Sequence, residues 1–209
     1  MSPSDGDPAR PARGRPRSFD REVALDQAMR VFWSKGYAGA SLGDLTSAMG
    51  IASPSLYAAF GSKEGLYSEA IHRYVAVHEA DFWGVMSAAT ARESVESLLR
   101  KAAEAFSTPD SPQGCMVLQT AMEAHELSPE LGASLCDLRA SNAQTLERRL
   151  LKGIEEGDVA PATDARAVAD FYATIHKGLS VSAKGGASRQ ELDSVVTSAM
   201  AAWGPLTGG

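Results

Sequence analysis

Three glycines, Gly36, Gly50 and Gly61, constrain this chain more than any other feature, because each closes a short run whose apolar residues recur at helical spacing. The first run opens at Asp20, whose carboxylate can accept orphan amide protons, and carries Leu25, Ala28, Met29 and Phe32 along one face of "REVALDQAMRVFWSK". After "YAGAS", Ser41 is the next cap, with Asp44 three residues on in a capping-box position, and "LGDLTSAM" ends at Gly50. Ser53 or Ala52 caps a third run, in which Pro54 fits the first turn because its missing N–H would have been unpaired there. Three short helices with a glycine turn between the second and third describe a helix-turn-helix, whose last element enters the DNA major groove.

The stretch "SPSLYAAFGSKEGLY" is then the recognition helix and the start of the next one. Its N-terminus near Ser53 presents amide protons and a positive dipole end, which attract phosphate. Tyr57 offers a phenol to a phosphate oxygen, and Lys63 adds a cation at the start of a fourth helix. Pro54 and Ser55 face the bases, whereas Leu56 and Phe60 point back into a small core.

From Phe19 to Tyr74 these residues resemble the tetracycline-repressor (TetR) family of bacterial transcription regulators. The match runs through Leu25, Ala28, Phe32, Gly36, Tyr37, Ser41, Leu45, Ala48, Gly50, Ile51, Ser55, Leu56, Tyr57, Phe60, Lys63 and Leu66, with "LYAAFGSKEGLY" intact. The resemblance implies an all-α fold, in which a helix-turn-helix domain precedes a helical ligand-binding and dimerisation domain. It implies a homodimer on a palindromic double-stranded operator, released when a small-molecule effector enters the C-terminal domain. It places phosphate contacts on Ser41, Tyr57 and Lys63, with Tyr37 nearby, and base-reading positions on Ser53, Pro54, Ser55 and Ala58. Two departures stand out. Ala52 replaces a common capping serine, which leaves Ser53 to cap and shifts the helix start by one residue. Ala58 and Ala59 replace longer side chains, so apolar contact of Pro54 or Ala58 with thymine methyls is the expected readout.

A net charge of -6 argues against a nucleic-acid partner only as an average. Residues 1–75 balance at +1 and the remainder at -7. "ARPARGRPRS" holds Arg10, Arg13, Arg15 and Arg17 without an acid on a backbone broken by Pro and Gly, so a flexible cationic arm is expected at 1–18. Arg13, Arg15 and Arg17 are its candidate DNA contacts, entering a narrow minor groove. The helix-turn-helix is expected over 19–65 and the second domain over 66–209. No stretch reaches the roughly 20 apolar residues of a membrane span, and the N-terminus lacks the apolar segment of a signal peptide, so a cytoplasmic location is expected.

A fourth helix is predicted from Ser62 through "KEGLYSEAIHRYVAVHEADFWGVM", followed by helices at Ala91–Phe106, Gln113–Glu126, Pro129–Glu156, Pro161–Lys184 and Ser188–Trp203, about nine in all. Aromatic, sulfur and mixed polar positions on the middle helices are candidate pocket residues: His78, Phe82, Trp83, Phe106, Met116 and Gln119, then Met122, Glu123, Phe171, Tyr172 and His176. "AVADFYATIHKGLSVSA" and "VVTSAMAAW" alternate small and apolar residues at helical spacing and suit a dimer seam made of the last two helices.

An enzyme is the first rival. His125 with Glu123 and Glu126, or His176 with Tyr172, could form an acid/base pair, yet neither His has a second His at i+4 and no paired ExxH motif appears. Neither catalysis nor a cofactor or metal is therefore expected. A thiol redox sensor is the second rival, through Cys115 or Cys136, although no Lys, Arg or His adjoins either cysteine in sequence to lower its pKa.

Overall fold

The computed structural model describes residues 19–109 and 111–208, with the side chains of 79–81, 122 and 124 outside that description. The secondary structure of the described residues is helical, without a strand among them. The expected arm, with Arg13, Arg15 and Arg17, lies outside the described residues.

Helix α1 (Arg21–Gly39) opens where its sequence demands: the Asp20 carboxylate accepts from the amides of Glu22 and Val23 at 3.0 and 3.2 Å. Its buried stripe of Ala24, Leu25, Ala28, Met29, Phe32 and Trp33 packs onto α2 (Leu42–Met49) and α4 (Lys63–Tyr74). Gly36 breaks the regular helix with φ 74°, ψ 176°. Ser41 and Asp44 close a full capping box on α2, and Gly50 ends it in the left-handed region. Helix α3 (Ser53–Phe60) then carries Leu56 and Phe60 into a core shared with Phe32, Leu45, Leu66 and Tyr67. Each of these buried side chains contributes about 1.5 to 3 kcal/mol over an exposed one.

Of the two expected caps of α3, Ser53 and Ala52, the structure takes Ala52. Ala52 is the N-cap, no side chain bonds the first turn, and Ser53 is already helical. Ala52 has no side-chain acceptor, and the amides of Ser55 and Leu56 that a Ser53 cap would engage bond the Ala52 carbonyl at 2.9 and 3.2 Å. The recognition helix therefore starts uncapped.

Helix α4 was expected to run unbroken to Met86. Instead it passes into a π turn (Val75–Glu79), one α turn (Ala80–Trp83) and a 3-10 turn (Gly84–Ser87). The expected helix over Gln113–Glu126 is likewise broken into α6 (Met116–Gln119) and two 3-10 turns. Gly114 sits at φ 76°, and the Thr120 hydroxyl bonds back to the Val117 carbonyl at 2.7 Å, tightening the ladder. The long elements are α5 (Ala91–Phe106), α7 (Pro129–Glu156), α8 (Ala165–Lys184) and α9 (Arg189–Ala201), with a short α10 (Trp203–Thr207). Helix α8 begins at Ala165 rather than Pro161 because Asp164 caps it, accepting from the Ala167 amide at 3.0 Å. Together α5, α7, α8 and α9 form the second helical layer, packed around Val95, Leu98, Leu99, Leu146, Val168 and Val196.

Candidate nucleic-acid interface and effector cavity

Helix α3 presents Ser53, Pro54, Tyr57 and Ala58 to solvent, with Ser55 half-buried and Tyr57 at 45% exposure. A tyrosine so exposed beside an uncapped helix N-terminus is poised to meet an anion rather than to fill a core. At the neighbouring N-terminus of α4, Ser62 caps the Gly65 amide at 2.9 Å, and Lys63 reaches across the Tyr37 ring with its Nζ 4.4 Å from the centroid. Tyr37 and Lys63 thus belong to one surface although 26 positions separate them in sequence. Burial, followed by the charges of Glu64 and Glu126, raises the pKa of the Tyr37 phenol, so it stays protonated and able to donate. Ser41 is exposed, but its hydroxyl donates to Asp44 at 2.7 Å and accepts from the Asp44 amide at 3.0 Å. Lys35 grips the other Asp44 oxygen at 2.6 Å, and this hydrogen bond, with those from Ser41, holds the carboxyl down at about 2. To meet a phosphate, Ser41 must share a proton it already gives to its own helix cap.

The N-terminal helices are tied to the second layer by a small set of bonds around the end of α1. Trp33 Nε1 donates to the Gly114 carbonyl at 2.9 Å. Lys184, at the end of α8, donates to the carbonyls of Trp33 and Ser34 at 3.0 and 2.6 Å, among the last carbonyls before the Gly36 break. Glu123 accepts from the Tyr37 amide on Oε1 at 2.9 Å and from the Tyr67 hydroxyl on Oε2 at 2.8 Å. A Cβ on Gly36 would land on that same Oε1, so the glycine is required twice, by its positive φ and by this close approach.

Behind the junction lies a cavity of about 310 Å³. One side is an aromatic cluster of Trp33, Tyr74 and His78, with centroids 4.8 to 5.3 Å apart. Another gathers Phe82, Trp83 and Phe106 around His176, at 5.4 to 6.0 Å. Cys115, Lys101 and Asn142 also line it. His176 is 3% exposed and its Nε2 meets no hydrogen-bond partner among the described residues. Burial, and secondarily Lys177, presses its pKa to about 4, so the imidazole is neutral near pH 7. His78, at the rim, is shifted down as well, by desolvation and then Arg30.

Of the pocket residues expected from sequence, His78, Phe82, Trp83, Phe106 and His176 are brought together here. Glu123 is placed at the junction, and Met116 and Gln119 are buried in α6, where the Gln119 amide donates to the Gln113 carbonyl at 3.0 Å. Tyr172 lies apart from the cavity lining, against Phe171 and Trp203, its hydroxyl on the Ala199 carbonyl at 3.3 Å. The Met122 side chain lies outside the described residues. Sequence reasoning missed Trp33, Tyr74, Lys101 and Asn142 as lining residues and weighed Cys115 only as a thiol.

A solvent-facing helix in a helix-turn-helix, joined through shared walls to a hollow helical layer, defines a DNA-binding regulator. The family model for bacterial regulatory proteins of the tetR family matches residues 24–70, and that for the tetracyclin repressor-like C-terminal domain matches 89–199. The chain belongs to the TetR family of transcription regulators. It is 34% identical to the HTH-type transcriptional repressor ComR of Escherichia coli (strain K12), over 93% of this chain and 94% of that protein. It is 32% identical to the repressor BdcR of the same strain, over 90% of each. Among solved structures, the fold resembles a cysteine-substituted variant of the TetR family regulator CifR in complex with 26-bp double-strand operator DNA. That likeness has a TM-score of 0.83 and 44% identity, covering 90% of this chain and 100% of the other. No helix among the described residues is long and apolar enough to cross a membrane.

Proposed function

We propose that this chain is a homodimeric repressor that leaves a palindromic operator when a small molecule fills the cavity. One observation carries the proposal: Trp33, from the first helix of the DNA-reading module, and Tyr74, from the helix after the recognition helix, are walls of the cavity. An occupant that prefers a different placement of these walls moves the reading head with them. It weakens operator binding only by as much as it favours the displaced arrangement.

In the bound state Tyr57, Lys63 and Tyr37 hold phosphates, and Ser53, Pro54, Ser55 and Ala58 meet the base edges. The arm bearing Arg13, Arg15 and Arg17 adds minor-groove contact. A dimer through α8 and α9 is supported by the small and apolar side chains these helices leave exposed. Thr174, Gly178 and Val181 follow one another along α8, as do Val195 and Ser198 along α9. Two recognition helices in such a dimer must sit about 34 to 36 Å apart, or a multiple of that, to read successive turns of DNA.

The test is a selection of bound sequences from random DNA. It should return an inverted repeat, and sedimentation of the complex should show two chains per site. Recovery of a single half-site bound by one chain would refute the dimer.

A second reading is favoured by the place of Cys115, buried in the cavity wall with its amide donating to Ser180 Oγ at 2.8 Å. Oxidation there would put a polar sulfur group where an effector otherwise sits, whereas Cys136 is exposed on α7. Peroxide-treated protein that keeps full operator affinity would remove this reading.

A further inference from the structure

We propose that the cavity takes a neutral one- or two-ring aromatic molecule carrying a hydroxyl, and that this hydroxyl bonds Nε2 of His176. The inference rests on the cavity's being the effector site. At about 310 Å³ the space is at the lower end of the roughly 300 to 1,000 Å³ of small-molecule pockets, which limits the occupant to a compact skeleton. Phe82, Trp83 and Phe106 stand around His176, so a flat ring finds edge and face contacts on several sides.

The polar requirement comes from one atom. His176 Nε2 is buried and unpartnered within this aromatic surround, and a buried polar atom left unsatisfied is costly. A neutral imidazole nitrogen is a donor in one tautomer and an acceptor in the other; a hydroxyl meets both, whereas a carbonyl meets only one. Charge is disfavoured in either sign. A cation at His176 would lose its water of hydration and stand near Lys177. An anion at His176 would be stripped of water against aromatic rings and opposite an uncharged imidazole.

The experiment is calorimetric titration of the full chain with 2-naphthol, naphthalene and 2-naphthoate at neutral pH, alongside operator affinity at saturation with each. Wild-type protein should bind 2-naphthol about tenfold or more tightly than either of the others. His176→Phe should erase the preference over naphthalene, and His176→Gln, which restores a polar atom, should recover part of it. Equal affinity for naphthol and naphthalene in the wild type, tighter binding of naphthoate, or no binding of naphthol would each overturn the proposal, whether or not the variants fold. If naphthol binds with this pattern and operator affinity stays the same, the ligand class stands and the effector role of the cavity falls. If naphthoate or naphthalene releases the operator while naphthol does not, the effector role stands and the ligand class falls.

Discussion

The DNA-reading module and the second helical layer are built on opposite plans. In the first, helices of eight residues, α2 and α3, end at positive-φ glycines and pack on buried side chains, α2 opening on a full capping box and α3 on none. In the second, built on helices of 13 to 28 residues, an aromatic-walled cavity holds an imidazole nitrogen without a partner among the described residues. The first plan makes a rigid reader, since an exposed tyrosine can report on DNA only if the helix under it keeps its place. The second leaves room for a guest. The end of α1 is where they meet, and Glu123, Lys184 and the Gly114 carbonyl hold that end from the other side.

The sharpest way to break the contrast is at Gly36. Gly36→Ala forces a side chain into a left-handed conformation and onto Glu123, releasing the Tyr37 amide and the Tyr67 hydroxyl. A loss of about 3 kcal/mol or more is expected in urea denaturation. An unchanged midpoint would show that the junction does not depend on this kink.

A comparable effect is expected inside the cavity. The folded pKa of His176 lies near 4, below its ordinary 6.5, so the unfolded chain takes up the proton first as pH falls. Stability is full above about pH 6.5 and declines toward pH 4, by up to about 3 kcal/mol from this group. Thermal unfolding across that window should be flatter in His176→Phe than in the wild type. Parallel curves would mean that the imidazole is charged in the folded state.

On the reading face the effects should touch DNA and leave the fold alone. Tyr57→Ala and Lys63→Ala should each weaken operator binding about tenfold on every sequence tested, and Lys63→Ala should lower the salt slope by about one. Melting temperatures should stay at the wild-type value, because Tyr57 is exposed and Lys63 lies over one ring. A shift in sequence preference from Lys63→Ala would argue that it reads bases. The smallest effect belongs to Asp44, whose carboxyl is held at about 2, below the ordinary 3.8, by Lys35 and Ser41. Its contribution is present above about pH 4 and lost as pH falls toward 2, so Asp44→Asn should remove a minor acid-side slope in unfolding curves.

The same contrast explains what was legible in the sequence. Asp20, Ser41 with Asp44, Gly50 and Gly61 act within a few residues of themselves, so the short helices and their order could be read directly. Between the two expected caps, Ala52 prevailed over Ser53 for a local reason as well, since the Ser55 and Leu56 amides that Ser53 would need bond the Ala52 carbonyl. The break at 113–126 was not legible, because distant partners hold it: Cys115 is drawn to Ser180, and Glu123 to Tyr37 and Tyr67. Part of the cavity, about a third of its lining, was visible as aromatic and histidine positions on the middle helices. Trp33 was not, since along α1 it continues the core stripe of Phe32, and only the crossing of α1 with α4 turns it toward the hollow.

The central claim is that one indole belongs to both regions. Fluorine NMR on fluorotryptophan-labelled protein separates the three tryptophans, with Trp203 in the far core as the internal standard and Trp83 as the reporter of cavity occupancy. Adding operator should shift the Trp33 signal, and adding any probe that moves Trp83 should shift it again while Trp203 stays in place. A Trp33 signal that ignores the operator, or that stays still while Trp83 reports a filled cavity, would contradict the shared wall.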